Sequence, residues 1–328
     1  MRLRLVPDNT NWNFFRYMKF WLGVSIAGVL VSFISLAVLG LNFGVDFRGG
    51  TMILAANPET RDIGEYRAVL NALGHGEAAV TEVSETAGSG GGGERQVVMM
   101  RLGISGDNPD SQMAVIEGVQ AELNAAFPGI TYLQIDSVGA KVSSELVRDG
   151  IIALVLSVVG IMIYIWLRFE WQFGIGAAVA LAHDAIVTVG IFSLLQLEFN
   201  LTIVAGVLTV IGYSINDTVV VFDRVRENLR KYKRMPLRDV LNQSLNETLA
   251  RTVMTSVSTI LALLAIMIFG GPVVSGFGFA VIFGVLVGTY SSIWVASAIV
   301  IWFGVKRDGS NPESKAGTEF AREGARRA

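Results

Sequence analysis

Apolar and polar positions follow two regimes along this chain. In the first, stretches of about 20 residues pass with almost no charge, the length that crosses ~30 Å of hydrocarbon at ~1.5 Å per helical residue. Six such spans are predicted, at 20–41, 150–167, 173–196, 201–221, 253–269 and 276–305. The second and fifth are short by apolar count and are expected to recruit flanking polar turns. The sixth is long enough to tilt, or to break at Gly284 or Gly288.

In the second regime, apolar residues recur every second or every third to fourth position among charged ones. Residues 51–56, 79–83, 96–102 and 130–135 read as strands, and 60–73 and 111–127 as amphipathic helices. The helix stripes are Ile63, Tyr66, Val69, Leu70 and Leu73, then Met113, Ile116, Val119, Leu123 and Phe127. The order βαββαβ predicts a ferredoxin-like split βαβ sandwich. The glycine run 88–93 lacks the Gly-Lys-Ser/Thr and the strand-to-helix setting of a phosphate loop, and reads as a flexible hairpin. The predicted fold is therefore a polytopic α-helical membrane protein with six transmembrane helices and an inserted α+β domain, placed after the first span.

Composition agrees: mean hydropathy is +0.52 and only 16% of residues are charged, both unusual for a soluble domain. With no cysteine and two histidines, disulfides, thiolate chemistry and an HExxH-type zinc site are not supported. The apolar stretch that begins near Phe20 is about a full bilayer long, with no small-residue cleavage site after it, so it reads as a span and not as a leader. Charge then orients the chain. Segment 42–149 holds 7 Lys/Arg against 15 Asp/Glu, and the other 19 Lys/Arg all lie outside it. They cluster in the arm 1–19, at Arg168, in the loop 222–252 and in the tail 306–328, which share one side if there are six spans. The positive-inside rule puts both termini in the cytoplasm and 42–149 on the outer side. The loop carries eight Lys/Arg from 223 to 252, which points to topology and anionic lipid contact, not nucleic acid. The tail is dominated by Gly, Ser, Glu, Lys and Arg and reads as disordered.

The candidate chemistry lies inside the spans. Asp217 interrupts the apolar run 209–224, and an ionisable group at that depth is costly unless paired, wetted or protonated. It lies about 24 Å down the fourth span, and Arg251 about 27 Å from the far end of the fifth. The two thus share a depth, in the inner third, and are natural partners. A nearby arginine favours the charged carboxylate and burial favours the protonated one, so helix movement could couple to proton uptake and release. A structural salt bridge with a snorkelling Arg251 is the plainer alternative. Tyr213, Ser214, Asn216 and Thr218 surround Asp217 in sequence, and Arg251, Thr255, Ser258 and Thr259 form one polar stripe that glues helices or lines a wet path. His183–Asp184, mid-way along the third span, is either a relay or a hydrogen-bonding pair. Gly284-Val-Leu-Val-Gly288 permits close approach of a neighbouring helix.

Four segments resemble the SecD/SecF family. They are Gly44-Val-Asp-Phe-Arg-Gly-Gly-Thr51 after the first span, 138–146 before the second, Asn216-Asp-Thr-Val-Val-Val-Phe-Asp-Arg-Val-Arg-Glu-Asn228 in the fourth and 246–256 before the fifth. The single small inserted domain is closer to the SecF branch. The resemblance implies an RND-like 1+5 helix arrangement, a heterodimer with SecD, association with YajC and the SecYEG channel, and use of an ion gradient to draw emerging polypeptide outward. It implies no bound cofactor, H⁺ or Na⁺ as the coupling ion, and Asp217 and Arg251 as the coupling acid and its basic partner. No nucleophile–base pair, metal box or nucleotide loop supports an enzyme. Two rivals keep the same layout: an RND-type exporter half for small molecules or lipids, and an assembly factor in which Asp217 is only structural.

Overall fold

A computed structural model describes residues 7, 10–73, 78–83, 96–103, 109–269 and 271–305. The glycine-rich turn 88–93 and the tail 306–328 lie outside the described residues. Among the described residues six helices are long and apolar enough to cross a membrane. They are α1 (Met18–Val38), α5 (Ala140–Arg168), α6 (Trp171–Leu194), α7 (Leu201–Lys231), α8 (Leu237–Phe269) and a sixth unit made of α9 (Gly271–Ser291), a π-turn (Ser292–Ala296) and α10 (Ser297–Phe303).

The short second and fifth spans do recruit polar turns: α5 starts at Ala140 and α8 at Leu237. The basic segment 222–252 is not a loop. Both flanking helices run through it and leave only 232–236 outside. Cross-links hold these extensions together: Arg224 Nε meets Glu247 at 2.6 Å, and Asn228 donates to Ser244 at 3.0 Å and to Glu247 at 2.7 Å. Span six does not break at Gly284 or Gly288. The irregularity comes later, at the π-turn, where Ser297 Oγ reaches back to Ser292 O at 3.3 Å.

Between α1 and α5 lies the inserted domain: β2 (Gly50–Asn57), α3 (Ile63–Ala72), β3 (Ala79–Val83), β4 (Gln96–Leu102), α4 (Pro109–Ala126) and β5 (Thr131–Val138). Sheet order is β3-β4-β2-β5 and all pairings are antiparallel, with central β2 buried along its length. This is the split βαβ arrangement expected from the element order. Its core joins Ile53, Tyr66, Leu70, Met100, Val119 and Leu123. The expected stripe of α4 needs one correction. Met113 is 64% exposed, and Ile116 is absent from the core that Val115, Val119 and Leu123 enter at steps of four.

Two further pieces join domain to bundle: a parallel pair of β1 (Asn42–Phe43) with β6 (Glu198–Phe199), and the single turn α2 (Val45–Arg48). Neither is visible in periodicity, because two-residue strands have no period to read.

Candidate functional site

α7 sits centrally, touching α6, α8 and α9. Its closest approach is to α9, and the glycine pair makes it possible. A Cβ at Gly284 would run into the side chain of Val210, and one at Gly288 would lie 3.0 Å from Ser214 Cβ. Small residues let helix backbones meet where lipid gives no hydrophobic drive. That approach brings the polar residues of α9 onto both buried aspartates.

Asp184 on α6 is fully buried and fully bonded. Its Oδ1 lies 2.9 Å from His183 Nδ1, and its Oδ2 accepts from Ser214 Oγ at 2.5 Å and Ser291 Oγ at 2.7 Å. One carboxylate thus ties α6, α7 and α9 together. Asp217 on α7 is only 2% exposed and differently placed. It bonds the Thr289 hydroxyl of α9, which in turn lies 2.8 Å from Ser256 Oγ of α8. Its other oxygen, Oδ2, is buried without a hydrogen-bond partner among the described residues. Such an orphaned acceptor is costly at membrane depth unless the group takes up a proton or cation.

Arg251 is exposed and makes no ion pair with Asp217; its charge acts on that carboxylate across a gap. The stripe below it also turns outward. Ser258 is exposed, Thr255 and Thr259 are half-buried, and Thr255 and Ser258 bond back to Thr252 O and Thr255 O, at 2.9 and 3.0 Å. Asn216 is exposed as well. Tyr213 is half-buried against Leu263 and Val285, and its hydroxyl has no partner among the described residues. His183, 7% exposed, lies beside Tyr290 with ring centroids 6.2 Å apart. Sequence reasoning missed Ser256, Thr289 and Ser291. The signal was the polar run Thr289–Ser292 just after the Gly284–Gly288 pair; what was missing was the identity of the helix the glycines face.

The site is tied to the inserted domain at the top of α7. Asn200 caps that helix by accepting from Ile203 N at 3.1 Å, and Asp46 Oδ2 accepts from Leu201 N at 2.9 Å. Arg101 of β4 spans the junction, 3.0 Å from both Asn42 Oδ1 and Glu198 Oε2. Gly49 and Gly50 have φ of 73° and 119°, and a Cβ at Gly50 would strike the Leu102 carbonyl. Only glycine fits that turn into β2.

A family model described as protein export membrane protein SecD/SecF, C-terminal, matches residues 118–306, and the SecD/SecF GG motif matches 34–55. The chain belongs to the SecD/SecF family. It is 48% identical to protein translocase subunit SecF of Cereibacter sphaeroides over 98% of both chains, and 46% identical to that of Rhodobacter capsulatus over 99% of both. Among solved structures it resembles SecDF of Thermus thermophilus, a translocon-associated membrane protein, with a TM-score of 0.79 and 32% identity. That match covers 92% of this chain and 40% of the SecDF chain, so this chain spans well under half of it. The SecF branch expected from the sequence is thereby shown, and six spans with one inserted α+β domain agree with it.

Proposed function

We propose that this chain is a SecF-type subunit of the Sec protein-export machinery that couples an ion gradient to late polypeptide translocation. Its neighbours in this reading are SecD, the SecYEG channel, YajC and the moving polypeptide. It sits in the bacterial inner membrane with both termini cytoplasmic and 42–149 periplasmic. Near-full-length identity to SecF relatives supports the machinery; lysine and arginine placement supports the orientation.

One observation carries the coupling: Asp217 is buried at membrane depth with one carboxylate oxygen unpaired among the described residues. Protonation, or Na⁺, would satisfy that oxygen. Asp184, whose oxygens are all bonded, serves instead to hold the three helices in register. The outward Arg251–Ser258 stripe supports a second membrane subunit on that face, because an exposed arginine at this depth calls for a polar partner. A change at Asp217 would pass along α7 to Leu201, Asp46 and the inserted domain.

The test is export of a secretory precursor into inverted vesicles at fixed ATP, with the partner subunits present. Wild type should gain from an imposed gradient. Asp217→Asn should assemble normally, keep the ATP-driven rate and lose the gradient-dependent gain. An equal gain in both proteins would make Asp217 structural and end this reading.

A further inference from the structure

α1 and α6 converge at one end of the bundle and part at the other. In the closed half Gly190 has no room for a Cβ beside Ser32, and the Ser35 and Ser193 hydroxyls lie 2.9 Å apart. In the open half the helices separate, and the C-terminal part of span six supplies a third wall. The result is a groove of 780 Å³ running from Met18 to Leu30 along α1, with Ala182 and His183 on its floor and Trp302 at its mouth.

The groove has a definite length. Twelve residues of helix are about 18 Å, close to half of a ~30 Å hydrocarbon core. It therefore spans one leaflet and stops where α1 and α6 close, which is too short for a membrane-crossing helix. Its walls are apolar, and the polar side chains on it are already bonded: Ser25 to Tyr290 at 2.8 Å, His183 to Asp184 at 2.9 Å. A polar guest finds no free group there, whereas a hydrocarbon chain does not need one.

The mouth has the opposite character. Trp302, which lines the groove together with Met18, is 81% exposed, and Trp12, Tyr17 and Phe20, around the start of α1, are exposed too, aromatic residues of the kind that mark headgroup level. Arg16 and Lys19 are exposed at the same level. Lys19 stands three and seven residues before Leu22 and Ile26 of the groove wall, so it shares their face of α1. Cations above an apolar slot one leaflet deep match a single class of ligand.

We propose that this groove is a binding site for an anionic phospholipid of that leaflet, with an acyl chain along α1 and the phosphate held by Arg16 and Lys19. The site lies apart from Asp217 and does not depend on the export reading.

Native mass spectrometry of the full chain, with any co-purifying subunits, tests it against added phosphatidylglycerol and phosphatidylcholine. Wild type should retain phosphatidylglycerol preferentially. Arg16→Gln with Lys19→Gln should weaken that retention roughly 30-fold, from two cations at the usual strength of a basic side chain beside an anionic headgroup. Ala182→Trp should fill the groove and remove the bound lipid, while Leu156→Trp on the exposed face of α5 should not. A photo-crosslinker at Ile26 in native membranes should add the mass of a lipid. Equal retention of both lipids, no effect of the paired glutamine variant, or capture of a protein at Ile26 would overturn the proposal.

Discussion

Burial alone does not mark a functional acid. Asp184 and Asp217 are both buried, yet the first has every oxygen bonded and the second keeps one without a partner among the described residues. The difference comes from α9, whose Ser291 reaches Asp184 and whose Thr289 reaches only one oxygen of Asp217. A third acid, Asp136 of the inserted domain, shows the same physics outside the membrane. Its carboxyl is pushed above the ordinary carboxylate range, first by burial and also by the charge of Asp46, against a hydrogen bond from Gln134. The folded domain thus binds that proton more tightly than the unfolded chain does. Stability at this site rises as pH falls through the carboxylate range and declines as pH rises above it. Asp136→Asn keeps the Gln134 contact without the charge, so it should raise the thermal midpoint at pH 7 and leave it nearly unchanged at pH 4. An equal shift at both pH values would contradict this account.

Helix contacts set which polar residues meet. The stripe on α8 that sequence periodicity favoured, Arg251–Thr255–Ser258, turns outward, while Thr252 and Ser256, on the next face, turn in. Periodicity identifies a stripe but not which stripe faces the bundle, because both are polar. The Gly284–Gly288 pair removes the ambiguity once its partner is known. Gly284→Ala would force a methyl into Val210 and should cost about 1–3 kcal/mol of helix-bundle stability, the usual penalty of overpacking. Val210→Ala should restore much of it, so the two costs should be strongly non-additive in denaturant unfolding. Additive costs would mean that α7 and α9 do not meet there. The π-turn after Ser291 also belongs to this scale: such turns frequently mark functional sites, and this one follows directly on a ligand of Asp184.

At the scale of the whole molecule, a compact α/β domain stands at one end of a six-helix bundle, and the β1–β6 pair, Asp46 and Arg101 form the junction. The chain has no cysteine, so single cysteines report sidedness directly. Glu117→Cys in α4 should react with an impermeant maleimide from the outer face of spheroplasts, and Arg234→Cys between α7 and α8 only after lysis. Both residues are exposed, so labelling of the two from one side would refute the proposed orientation. Much of this architecture was legible in the sequence alone. Span number, the βαββαβ order and the isolation of Asp217 follow from local composition, since an uncharged run must leave water and a carboxylate within it has no local solvent. The basic segment 222–252 misled, because charge density marks the side of the membrane and not the backbone conformation. What only tertiary structure decided was partnership: Thr289 for Asp217, Ser214 and Ser291 for Asp184, Asp46 for the start of α7. Those contacts join residues far apart along the chain, and they depend on how closely two helix backbones approach, a quantity no single helix carries.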